Sequence, residues 1–274
     1  MTASPSAPLL DAFLHEGVLD PELAALVALT LEGGVPIVVA GEPGIGRAAL
    51  RDALRELLPA GTRNVILAGR TETFTWMAEA VELGWHHEGP WVPGADVERV
   101  RARDGESQVV LVADLADGSD AGTWGETARL TIRALAVGYG LAATATGTRL
   151  EDVLGRLASA PVGAIDDELT RLGVVLILGR DGEGRRRVLA AHYLRPVARD
   201  VQGHIQRLPP AVLATWNPSA GRFEHFAWGV VGELAGRTGR RPVEFEREQA
   251  VRARELATRA AHRPASIPPA PSTG

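Results

Sequence analysis

Five short apolar runs, separated by amphipathic stretches, constrain the fold more than any other feature of this sequence. Residues 36–40 read PIVVA, 64–68 NVILA, 109–113 VVLVA, 141–144 LAAT and 174–178 VVLIL. A run that is apolar at nearly every position suits a strand buried on both faces, as in parallel sheets; a half-buried strand alternates. The stretches between them have helical spacing. Residues 47–58 carry Leu50, Ala53, Leu54, Leu57 and Leu58 on one stripe, and 75–83, 123–137 and 166–171 read as further helices. Thr148 and Glu151 have the spacing of a capping box opening a helix with Leu150, Val153, Leu154 and Leu157 inside. Ahead of the first run, 9–31 predicts two helices, broken at Gly17 and restarted at Asp20-Pro21, a cap followed by proline at the first position. Strands alternating with helices in this way predict an open, mostly parallel α/β sheet.

After Gly179 the pattern changes. Residues 187–194 and 211–216 read as strands, and Asn217-Pro218-Ser219-Ala220-Gly221 is a turn into an alternating 222–226, a hairpin signature. An antiparallel appendix therefore closes the chain. Residues 244–261 predict a last helix with Glu248/Arg252 and Glu255/Arg259 at i,i+4. The proline-rich end from Pro264 is expected to be disordered.

Composition narrows the function. With 45% hydrophobic and 23% charged residues in 274, the chain is neither disordered nor fibrous. No apolar run approaches the ~20 residues of a membrane span, and no basic-then-apolar signal opens the sequence, so a cytoplasmic location without membrane insertion is expected. Cysteine is absent, which removes thiol chemistry and cysteine metal sites. Lysine is absent too: all 29 basic residues are arginine. Against 34 acidic residues these leave a net charge of −5, which argues against a nucleic-acid partner. Arg185-Arg186-Arg187 reads as a solvated strand edge, His86-His87-Glu88 as a solvated loop rather than a metal site, and the scattered tryptophans as packing residues. Asp166-Asp167-Glu168 suits a helix start.

The informative segment follows the first apolar run: Gly41-Glu42-Pro43-Gly44-Ile45-Gly46-Arg47-Ala48-Ala49. A glycine-rich turn between a buried strand and a helix is where backbone amides cradle phosphate. Gly41 and Gly46 fit the frame of a phosphate-binding loop. That loop then needs a lysine for the β- and γ-phosphates and a Ser/Thr hydroxyl for Mg²⁺. Here those positions are Arg47 and Ala48, a longer planar cation and a side chain with no oxygen.

With its surroundings included, the sequence over about residues 9–190 resembles the type II/type IV secretion ATPases. These are hexameric traffic ATPases that drive pilus assembly and protein or DNA export, and the resemblance is to the conjugation and tight-adherence branch. It is carried by 9–41 (LLDAFLHEGVLDPELAALVALTLEGGVPIVVAG), 58–65, Arg101-Ala102-Arg103 with 109–117, 138–157 (GYGLAATATGTRLEDVLGRL) and Arg185-Arg186-Arg187-Val188. The resemblance implies a RecA-like P-loop fold with helices at 1–34, a core at 35–180, an appendix at 181–262 and a tail at 263–274. It also implies that the family's N-terminal domain is not represented.

Position by position, the family's functional residues are changed. The loop lysine and hydroxyls fall on Arg47, Ala48 and Ala49. The acidic pair after the second strand falls near Gly69-Arg70, with Glu72 displaced. The Walker B glutamate falls on Asp114, one methylene shorter, the glycine-histidine pair on Gly138-Tyr139, and the histidine-box histidine at or beside Thr146. Arg101 and Arg103 match the family's arginine-bearing segment. The expectation is a degenerate, non-hydrolysing subunit that binds ATP or ADP weakly and without Mg²⁺, or not at all, and that pairs with an active secretion ATPase or a component of a secretion or pilus apparatus. Two alternatives stay open: an atypical active ATPase using Arg47 and Asp114, and a nucleotide sensor without turnover.

Overall fold

The computed structural model of the chain describes residues 8–86, 100–104, 107–199, 202 and 204–261. Two helices come first, α1 (Pro8–His15) and α2 (Pro21–Glu32). The start of α2 follows its sequence signal: the Asp20 carboxylate accepts the Leu23 amide, and Pro21 opens the first turn. Next come β1 (Ile37–Gly41), α3 (Arg47–Arg55), β2 (Arg63–Ile66), β3 (Arg103–Asp104), β4 (Ser107–Leu115), α4 (Glu126–Ala134), β5 (Gly140–Thr146), α5 (Leu150–Ala158), α6 (Asp166–Leu169) and β6 (Val174–Arg180). The last third adds β7 (Arg186–Tyr193), the small pair β8 (Ala198–Arg199) and β9 (Ile205–Gln206), β10 (Ala211–Asn217), β11 (Arg222–His225), α7 (Val231–Arg237) and α8 (Pro242–Ala261).

The main sheet runs β11-β10-β7-β6-β1-β5-β4-β2, with β3 pairing the start of β4. The strands β6, β1, β5, β4 and β2 are parallel. Numbered among themselves in chain order they lie 5-1-4-3-2, the RecA-like arrangement, while β7, β10 and β11 extend the same sheet antiparallel. The fold is thus the mostly parallel α/β sheet with an antiparallel C-terminal addition that the apolar runs predict.

Each central strand feeds two cores, because successive side chains leave a strand on opposite faces. Ile37 and Val39 of β1 and Leu176 of β6 join one cluster with α1, α2, α3 and α8. Val38, Ala40, Val175 and Ile177 join the other, with α4, α5, Phe74 and Met77. α2 is buried from Leu23 to Leu31, since α8 covers the side that the sheet does not. An apolar helix of that kind is stable only inside.

Several local expectations fail. Residues 75–83 form consecutive turns rather than a helix. Their backbone is taken up elsewhere: Ala78 donates to the Val100 carbonyl, and Val100 donates to that of Trp76. Phe74, at φ 51°, is fully buried at the start of this segment. The capping box at 148–151 does not form; Arg149 occupies the cap position and the Thr148 hydroxyl donates to Asp152 instead. On α8, Glu248 pairs with Arg240 and Arg252 with Glu32 of α2, so these charges fasten the helix to its neighbours rather than to each other. Trp91, His87, Glu88 and the proline-rich tail lie outside the described residues.

Candidate functional site

The C-terminal ends of β1, β5 and β4 lie side by side, with Gly41 opposite Thr146 and Asp114 opposite Thr144. Gly41 must be glycine: a Cβ there would sit 2.5 Å from the Leu178 carbonyl oxygen of β6. The loop then turns through Gly44 and Gly46, both at positive φ, and delivers Arg47 as the first residue of α3. The helix's first amides face the loop, as a phosphate cradle requires. Glu42, Pro43, Gly44, Ala48 and Ala49 are exposed, and Ile45 is buried beneath the loop.

The side chain of Arg47 points away from that cradle. Its Nη1 donates to the carbonyls of Gly41 (3.2 Å) and Ala145 (2.6 Å) and to the Thr146 hydroxyl (2.8 Å), tying the ends of β1 and β5 together. Burial pushes its pKa below the ordinary arginine value, and the negative charge of Asp114 works against that shift. The guanidinium stays charged in either case. The Asp114 carboxylate accepts a 2.5 Å hydrogen bond from the Thr144 hydroxyl. Beside it, Arg51 donates to the Ala113 carbonyl at 3.4 Å. Cations at this edge are therefore spent on the protein's own oxygens.

This donor set does not fit a Mg²⁺–nucleotide site. Ala48 and Ala49 have no ligand oxygen, and Asp114 shares its surroundings with the Arg47 charge. Glu72, the displaced acidic residue, is buried and saturated: its carboxylate accepts the amides of Ala68, Thr73 and Phe74 and the Trp76 indole. Its role is to hold a turn. Arg70 pairs with Asp117 at the surface. Among the described residues no group of three or more metal-ligating side chains occurs.

The other candidates lie at the opposite edge. Arg101 is exposed, and Arg103 is paired in register with Gln108 at the start of β4. Asp114 is six residue steps along β4 from Gln108, which places Arg103 roughly 20 Å from the loop edge. Tyr139 is buried there, its hydroxyl donating to Glu79 and the Val100 carbonyl; burial and Glu79 raise its pKa well above the usual range.

The Arg185–Arg187 run is misjudged by its composition. Arg187 is buried, bonded to Asp181 and to the carbonyls of Glu16 and Gly17, with its guanidinium 4.6 Å from the Trp216 ring centroid. Arg186 pairs with Glu16 and lies against Gly46, so a residue of β7 packs on the loop. Only Arg185 is a surface residue of the kind expected. Asp181, in the turn between β6 and β7, emerges only from the structure, although an Asp-Gly before an arginine run marks it in the sequence.

No family model matches the chain, and neither does any curated protein. Among solved structures it is similar to the VirB11 ATPase from the Brucella suis type IV secretion system, in complex with sulphate. The two are 21% identical, the match covers 62% of this chain and 50% of that one, and the TM-score is 0.39. The chain thus spans about half the length of that structure.

Proposed function

We propose that this chain is a secretion-ATPase-like protein that has lost hydrolysis and acts as a binding or scaffolding subunit beside an active ATPase or a secretion or pilus apparatus. The observation that carries the reading is the position of Arg47. In a working loop the cation at this position reaches the transferring phosphate, where charge neutralisation supplies most of the catalysis. Here the only cation of the loop is bonded to Gly41, Ala145 and Thr146, inside the protein. Ala48 offers the metal nothing, and Glu72 is consumed by backbone amides. Loop amides at the start of α3 still favour an anion, so weak, metal-independent nucleotide binding is compatible with the same geometry.

The test is phosphate release from Mg²⁺-ATP by the purified chain, with Arg47→Ala as control. The expected result is release no faster than background. Turnover near ~1 s⁻¹ that vanishes in the control would establish the atypical-ATPase alternative instead, with Asp114 placing the water. The scaffolding half is tested by co-expression with the active secretion ATPase of the same cell. A co-eluting complex is expected; separate elution at micromolar concentration counts against it.

A further inference from the structure

We propose that the N-terminal edge of the parallel sheet, opposite the loop, holds a binding site for a phosphate-class oxyanion, formed by Arg171 and Arg237. Both residues line a cavity of about 230 Å³ below the first residues of β1, β4 and β5, together with Gln108, Gly34 and Gly138. No carboxylate lines it. Elsewhere in the molecule many arginines are tied to an acid: Arg51 to Asp52, Arg133 to Glu168, Arg195 to Glu233, Arg240 to Glu32. Among the described residues neither Arg171 nor Arg237 has such a partner.

Arg237 lies over the ring of the fully buried Tyr193 at 5.8 Å, a contact that anchors the side chain without neutralising its charge. Two arginines and a glutamine amide supply donors and no acceptor charge, which selects an anion; the planar guanidinium suits a tetrahedral oxyanion in particular. The cavity's size limits the choice further. At about 230 Å³ it falls below the ~300–1,000 Å³ of sites for drug-sized ligands, a size suited to a phosphate group.

The experiment is calorimetric titration of the full chain with inorganic phosphate at constant ionic strength, and with methyl phosphate in a second arm. One site is expected, weakened at least tenfold by Arg171→Gln, by Arg237→Gln and by the pair, and unchanged by Arg47→Ala. Equal binding of both probes identifies the phosphate group of a larger molecule as the ligand. Preference for inorganic phosphate identifies the free anion. Because Arg171 is exposed, its single variant leaves the fold intact and keeps the test valid if Arg237→Gln fails to fold. Absence of binding, or binding that survives Arg171→Gln, overturns the proposal. Binding lost only in Arg47→Ala would assign the anion to the loop instead.

Discussion

The two edges of the parallel sheet use the same side chain in opposite ways. At the C-terminal edge Arg47, Arg186 and Arg187 spend their donors on carbonyls, hydroxyls and carboxylates of the protein. At the N-terminal edge Arg171 and Arg237 line a cavity without a carboxylate. In a chain without lysine, the identity of a cation therefore says little about its role. Whether its donors are already satisfied says much more, because a guanidinium with its fork engaged is a strut and one with a free fork is a receptor.

If that contrast is right, the largest effect falls on Arg187. Replacing it with leucine removes one of the two guanidinium partners of a carboxylate that is 2% exposed and leaves the Glu16 and Gly17 carbonyls without their donor, so stability should fall by ~3 kcal/mol in urea titration. A loss below ~1 kcal/mol would mean that the strut description is wrong. The same cluster dictates an acid response. Burial pushes the Asp181 pKa up, but the amides of Arg185 and Glu183 and the guanidinium groups of Arg185 and Arg187 outweigh it and hold it at about 2. A lowered folded-state value stabilises above the unfolded pKa of ~3.9, and the contribution is lost as pH falls from about 4 to about 2. Asp181→Asn should flatten the stability profile in that window and change its slope little at neutral pH.

Arg47→Ala comes next. It deletes hydrogen bonds from a charged donor that join β1 to β5, so a loss of ~1.5–2 kcal/mol is expected in the same assay. Unchanged stability would indicate an Arg47 free to reach a ligand, and would weaken the proposed loss of hydrolysis with it.

A smaller effect belongs to His225, whose Nε2 lies 2.8 Å from Asp20 and 3.7 Å from Glu22. Burial lowers its pKa, but the Asp20 hydrogen bond and the two negative charges raise it above the ordinary 6.5 overall. Its contribution is complete below ~6.5 and disappears as pH rises through the folded-state value. The stability gap between wild type and His225→Asn should close on the alkaline side. It should stay under ~1 kcal/mol, because the pair is partly exposed and screened. A gap that widens with pH would reverse the assignment. Least of all, Arg171→Gln should move stability by no more than ~0.5 kcal/mol, the mark of a cation with no structural duty. A drop comparable to that of Arg47→Ala would erase the distinction between the edges.

Much of the fold is legible in the sequence. The wholly apolar runs at 36–40, 109–113 and 174–178 become three of the parallel strands, β1, β4 and β6, and the turn at 217–221 becomes the β10–β11 hairpin. Residues 75–83 mislead because helical spacing of Met77 and Ala80 is compatible with any compact turn that buries both, and the deciding hydrogen bonds go to Val100, more than twenty residues away. The loop is legible as a loop, and Arg47 as its anomaly. Where the guanidinium points is not, since that depends on Ala145 and Thr146, brought alongside only by the sheet. The Arg171 and Arg237 cavity leaves no local signal at all, because its residues are gathered from segments spread over the whole chain.

The clasp between α2 and α8 has a consequence for synthesis. Glu22 and Gln249, which touch across that contact, are 227 residues apart. At ~5–20 residues per second a ribosome needs roughly 10–45 s to make that span. Through that interval α2, apolar on nearly every side, lacks its cover, so the order of manufacture is the reverse of what burial requires. The nascent chain should therefore be a client of holding chaperones through that interval, and it can lock shut only once α8 leaves the ribosome.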